Sequence, residues 1–285
     1  MAQISNIIIY PFKSLPGMSV DSATFTSAGG LVGDREFAFF TPDGRYVNGK
    51  RFEAIHRIRA SFDVKLRVVT LWSLEHPEPQ SFHMDQQRLE ITAWVSKQLG
   101  LQGIELKHDP VSLFPDDRKS PGPTIGSEAS LIAAGQYFTP TITLSEMINR
   151  MRVNIIIKGV EAYWEDSITP NAETGGILRL GKAELIVTNP CSRCVVPTRN
   201  PETGIPSEDF MKTFMQHRKL TLPAHLKHDF RYEKNPYRLT VNVLGPAKGM
   251  IRIGDKAVIG TKIPLGDFSG KTSTALIKSI HSQIG

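Results

Sequence analysis

Pro190-Cys191-Ser192-Arg193-Cys194-Val195-Val196-Pro197-Thr198-Arg199-Asn200-Pro201-Glu202-Thr203-Gly204 carries the only 2 cysteines of a 285-residue chain. All thiol chemistry is confined to this stretch, and Arg193 and Arg199 favour a thiolate there. Just upstream, Leu178 to Val187 reads as a hairpin around Gly181-Lys182, so the cysteines are expected in a loop leaving a strand. Two thiols at this spacing cannot staple a fold of this length, which excludes a disulfide-rich secreted protein and suggests a reducing, cytoplasmic setting. Structural zinc needs two further ligands. His225-Leu226-Lys227-His228 offers a pair, but its gap is shorter than finger motifs use, and it lies far from Cys194. A thioredoxin-like dithiol needs a helix to start at the motif, whereas Pro197 and Pro201 follow at once. Loop cysteines without a role, and a sulfur ligand for some other metal, remain open.

The rest of the chain supplies the setting. With 40% hydrophobic and 22% charged residues it has the balance of an ordinary globular protein that can bury a sizeable core. The net charge of +6 favours an anionic partner. The cations are dispersed and not interleaved with aromatics, so a phosphorylated small molecule is expected and a nucleic acid polymer is not. The first residues lack the pattern of a signal peptide and no long apolar run occurs, so no membrane segment is expected.

Strands dominate the pattern. Ile7 to Tyr10 is a strand stopped by Pro11, which leaves Lys13 and Ser14 at its exit. Glu36 to Phe40 and Tyr46-Val47 flank a Pro and Asp-Gly turn, the signature of a hairpin. Val64, Leu66 and Val68 alternate with Lys65 and Arg67, which predicts a half-buried strand. A helix is expected from Asp85, with Ile91, Trp94, Val95 and Leu99 on one face and Gly100 ending it. Asp109 to Pro123 collects prolines and charges as a linker does. The division follows as 1–119, 120–265 and a tail, 266–285. Ser127 and Thr143 begin short helices, Asn154 to Ile157 is a strand, and Ser207 caps a helix carrying Phe210, Met211, Phe214 and Met215. Strands at Leu239 to Leu244 and Met250 to Ile253 close at Gly254-Asp255, and a short helix is expected from Ser273 to Ser282. Gly266 to Thr272 imitates a phosphate loop but is one residue short between its glycines. His56 reads as a strand-surface residue. The fold class is mainly β, of α+β type: a β-barrel with helical insertions in the second half and a β-rich N-terminal domain.

Four separated segments, Tyr10-Pro11-Phe12-Lys13-Ser14, Gly33-Asp34-Arg35, Arg152-Val153-Asn154 and the cysteine stretch through Gly204, resemble the MOSC proteins. They are similar in particular to the long form with an N-terminal MOSC β-barrel domain, which includes the amidoxime reducing components and their bacterial relatives. Asn200 stands where that family usually has Asp, and Pro121 to Ile125 is shorter and more polar than the strand expected there. The resemblance implies a molybdenum cofactor, a molybdopterin with a dithiolene and a phosphate tail. It implies that Cys194 ligates the molybdenum, that Ser192 and Arg193 hydrogen-bond the cofactor, and that Lys13, Ser14 and Arg35 contact it from the N-terminal side. Arg152, Asn154 and a late-strand residue, Asn242, are the matching contacts of the second half. A soft thiolate suits such a metal, and a Lys charge with an Arg fork suits a phosphate. Cys191 is expected not to be a ligand.

The implied reaction is reduction of small N-hydroxylated compounds, a reductive detoxification. With both cysteines accounted for, no thiols remain for an iron–sulfur cluster, and no dinucleotide fingerprint occurs. Electrons are therefore expected from a separate reductase of flavoprotein or ferredoxin type. An alternative by resemblance is a cofactor carrier or sulfur-transfer protein using Cys194, as in the MOSC domains that end molybdenum cofactor sulfurases. The pyridoxal-phosphate domain that makes the sulfur is absent from this sequence, so pyridoxal phosphate binding is expected only of the family at large. A third reading is a zinc or redox-switch protein without turnover.

Overall fold

The computed structural model describes residues 1–169 and 171–284. Its main element is an eight-stranded sheet. In spatial order the strands are Ala257–Pro264, Thr174–Leu180, Ala183–Ser192, Arg238–Leu244, Ile125–Ser127, Ile155–Lys158, Gln3–Ile9 and Met18–Val20. The sheet curls until Gln3 bridges Lys256 and the amide of Ala257 donates to Ala2 at 3.0 Å, which closes it into a barrel. Alternate side chains fill the inside. Ile4, Ile7, Ile155, Ile157, Leu178, Leu185, Val187, Val241 and Val243 form one cluster there. Each such fully buried side chain contributes roughly 1.5–3 kcal/mol by leaving water.

The two halves of the sequence are interwoven. The strand Gln3–Ile9 pairs with Ile155–Lys158, and Ser22–Thr24 pairs with Met250–Arg252. The rest of the N-terminal half packs around its own core of Phe12, Phe37, Phe39, Val69, Leu71, Ile91 and Val95. That core lies under the strand pair Phe37–Phe40 and Glu105–His108, the meander Ile58–Asp63, Val68–Ser73 and Gln80–His83, and the helix Arg88–Leu99. A third cluster fills the outer side of the barrel, where Tyr10, Met147, Met151, Phe210, Phe214 and Tyr237 meet. No helix among the described residues is long and apolar enough to cross a membrane.

Several expected elements differ. Residues 64–67 form the turn between two strands rather than a strand. Asp63 accepts from the amides of Lys65 and Leu66, and Arg67 takes a positive φ of 56°. Asp85 caps no helix, because its carboxylate pairs with Arg67 at 2.8 Å, and the helix begins at Arg88. The Ser207 hydroxyl accepts from Arg150 at 3.0 Å instead of capping the helix Phe210–Thr221. The strand Ala257–Pro264 lies beyond the turn expected to close the last strand. It is a barrel edge with Val258 and Lys262 turned outward, so its burial pattern is weak.

Candidate functional site

A cavity of about 530 Å³ opens between the barrel and the N-terminal core. Every site residue expected from the sequence lines it: Lys13, Ser14, Arg35, Arg152, Asn154, Ser192, Arg193, Cys194 and Asn242. Strain gathers at the same place. Ser14, Arg35, Leu113 and Arg152, all in its wall, take positive φ of 76°, 50°, 60° and 49°. Non-glycine residues adopt that region at a cost that surrounding structure must offset, and such positions cluster at functional sites.

Each cation reaches the wall by an identifiable local cause. Pro11 ends the first strand, and the chain turns so that the Lys13 ammonium meets the carbonyl of Phe114 at 2.9 Å and Asp116 at 2.5 Å. Burial lowers the pKa of Lys13, opposed by Asp116. Asp34 accepts from the Tyr10 amide at 2.8 Å and from Arg35 at 2.5 Å, which aims the Arg35 guanidinium inward. Arg152 is the left-handed C-cap of the helix Leu144–Met151, itself started by Thr143 accepting from the amide of Glu146. From there it donates to the carbonyl of Leu15 at 2.8 Å and lies 4.2 Å over the ring of Tyr10. Burial pushes the phenol of Tyr10 up to about 12, against the pull of Arg152 and Arg35.

Asn154 acts as a strut. Its amide donates to the carbonyl of Ile8 at 3.0 Å and to Asp34 at 2.9 Å, and its oxygen accepts from the amide of Thr124 at 3.1 Å. Asn242 donates to Asp117 and to Asn189, each at 3.1 Å. The barrel strand Ala183–Ser192 delivers the cysteines. The Cys194 side chain is exposed at the cavity, with the Val196 amide 3.5 Å from its sulfur. Cys191 differs, because the buried guanidinium of Arg193 donates to its sulfur at 2.8 Å. Arg193 also donates to the carbonyl of Met151 and lies 3.5 Å from the hydroxyl of Thr240, whose φ of 70° is unusual for a β-branched residue. The hydroxyl of Ser192 accepts from Asn235 at 3.0 Å.

The donor set fits a phosphorylated, metal-bearing ligand. Nη2 of Arg152 and Nε of Arg193 are buried without hydrogen-bond partners, a costly arrangement unless an anion completes it, whereas Nε of Arg35 lies 3.3 Å from the Asp116 carboxylate. An exposed thiol stands in the same cavity. Zinc finds no such support. Among the described residues the one cluster with metal-ligand spacing is Glu36, Asp85 and His108, which contains neither cysteine. The Arg67 guanidinium already fills it, at 2.7 Å from Glu36 and 2.8 Å from Asp85.

Sequence reasoning missed Asp116 and His56. Asp116 stands in the unstructured stretch read as a linker, and no local signal brings it to Lys13, 103 residues away. His56 is not on a strand surface. It lies on the 3-10 turn Glu53–Arg57 and lines the cavity.

Two family models match the chain: the MOSC N-terminal beta barrel domain over residues 1–108 and the MOSC domain over residues 132–258. Among curated proteins it is similar to mitochondrial amidoxime-reducing component 1 of Homo sapiens, with 26% identity over 88% of this chain and 81% of that protein. It matches mitochondrial amidoxime reducing component 2 of Bos taurus at 24% over 71% of this chain and 68% of that one. The molybdenum cofactor sulfurase of Drosophila mojavensis matches at 26% over 74% of this chain, which spans only 30% of the sulfurase. With both models in sequence order over a fold in which a β-barrel and a β-rich N-terminal unit enclose one cavity, the chain belongs to the MOSC family, in the form that carries an N-terminal MOSC β-barrel domain.

Proposed function

We propose that the chain holds a molybdenum cofactor in this cavity and reduces small N-hydroxylated compounds, such as hydroxylamines and amidoximes, with electrons from a separate flavoprotein or ferredoxin-type reductase. One observation carries the reading. An exposed thiol and the side chains of Lys13, Arg35, Arg152 and Arg193, drawn from distant segments, line a single cavity of about 530 Å³, with Nη2 of Arg152 and Nε of Arg193 lacking any hydrogen-bond partner. In this reading Cys194 ligates the molybdenum, Lys13, Ser14 and Arg35 hold the phosphate, and Arg152 and Arg193 supply further donors. Asn154 acts by fixing Arg35, and Asn242 by ordering the Asp117 loop.

When bound, the cofactor supplies a two-electron centre that takes oxygen from nitrogen. The overall reaction breaks one N–O bond, consumes two electrons and two protons, and yields the reduced nitrogen compound and water. The chain's own part is to orient the substrate at the mouth beside Cys194 and to keep the metal's sulfur ligand in place through its hydrogen bonds. Both thiols are free, which suits a reducing compartment such as the cytoplasm.

The exposure of the Cys194 sulfur also suits cofactor carriage or sulfur transfer, the activity named for the sulfurase relative. Assay of benzamidoxime reduction with an artificial electron donor separates the two. Turnover in wild type and its loss in Cys194→Ser supports the reductase. Molybdenum without turnover supports the carrier, and full activity in Cys194→Ser removes the assignment.

A further inference from the structure

Among the described residues, His56 is the one imidazole in the cavity wall. Its seat is made by two glycines from different segments. A methyl group at Gly49 would lie 2.4 Å from its Nε2, and one at Gly204 would lie 3.0 Å from its Cβ. Gly204 ends the Asn200 to Gly204 turn that follows the cysteines. That turn is fastened to the same element, because Arg59 donates to the carbonyls of both Pro201 and His56, at 3.0 and 2.9 Å. Arg199 pairs with Glu53 in the same 3-10 turn. The turn after the cysteines therefore docks on the N-terminal half and fixes the ring in the wall of the cavity that Cys194 also lines.

The ring's own bonding sets its chemistry. Nε2 lies 3.4 Å from the carbonyl of Gly49, which assigns the proton to that nitrogen, while Nδ1 has no hydrogen-bond partner among the described residues. We infer that His56 is a substrate-binding residue whose bare Nδ1 accepts a hydrogen bond from the N–OH or N–H of a hydroxylamine or amidoxime, selecting substrates that carry such a donor. The inference rests on the reductase reading above. Burial, with Arg152, Arg199 and Arg59 nearby, lowers its pKa from 6.5 to about 4, so the lone pair stays available at neutral pH.

The test compares full-length, molybdenum-loaded wild type with His56→Leu and His56→Gln. Molybdenum content is measured beside kcat and KM for benzamidoxime. The expected result is unchanged molybdenum in both variants, about a tenfold lower kcat/KM in His56→Leu, and recovery to within about threefold in His56→Gln, whose amide oxygen accepts in place of Nδ1. Wild-type kcat/KM in His56→Leu overturns the inference, as does molybdenum lost in parallel with activity, or a Gln variant no better than Leu. A wild type that holds molybdenum yet reduces no N-hydroxylated compound overturns the reductase reading itself, and this inference with it.

Discussion

Asp116 stands where an anionic ligand is expected, with its carboxylate 2.5 Å from the Lys13 ammonium and 3.3 Å from Nε of Arg35. Its side chain is still 65% exposed, and although enclosure by the cavity wall pushes the carboxyl up, Lys13 and Arg35 outweigh that and hold it well below the usual carboxylate range. A phosphate entering the cradle has to displace it. In Asp116→Asn, Lys13 loses its counter-ion and Arg35 keeps only Asp34, so inorganic phosphate should raise the melting temperature of the cofactor-free variant more than that of wild type; an equal shift would show that Asp116 does not compete. Cys191 and Cys194 separate in a similar way. Cys191→Ser keeps an acceptor for Arg193 and should retain molybdenum, whereas Cys194→Ser should lose it, as metal analysis of both will show. His56 adds a pH effect of known sign. Its pKa falls from 6.5 to about 4 on folding, so between those values the unfolded chain binds a proton that the native chain refuses. Stability declines as pH falls through that window, and His56→Gln should flatten the decline in a melting series.

Among the elements, the helix Leu144–Met151 matters most to the site, because its C-cap is Arg152 and its Arg150 holds the carbonyl of Pro197 at 2.8 Å. Thr143→Ala removes its N-cap and should cost about 1 kcal/mol in denaturant unfolding. The turn Thr26 to Gly30 approaches the end of the strand Arg238–Leu244 so closely that a methyl at Gly245 would lie 2.0 Å from the carbonyl of Gly29. Gly245→Ala should therefore destabilise by about 3 kcal/mol or more. The caps at Ser127 and Thr143 were legible because a cap is chemistry between residues three apart. The alternation of Val64, Leu66 and Val68 misled because Asp63 supplies a turn that burial pattern alone cannot reveal. Asp116 and His56 were illegible for a different reason. One reaches its partners across 103 residues, and the other is placed in part by Gly204, in a remote segment.

At the scale of the whole molecule, the cavity wall takes side chains from both halves, and the first strand completes a barrel built mainly from the second. The segment 120–285 expressed alone lacks that strand, and it should show neither a cooperative melt nor bound molybdenum. The sequence motifs named most of the wall, because cysteine, lysine and arginine in this order carry recognisable chemistry. Their convergence depended on strand pairing that no motif encodes. The central claim is that this wall holds a molybdenum cofactor. Metal and pterin analysis of the full chain, expressed with molybdate, tests it most directly. Stoichiometric molybdenum with pterin in wild type, lost in Cys194→Ser, is the expected result; zinc without molybdenum, or molybdenum fully retained in Cys194→Ser, would contradict it.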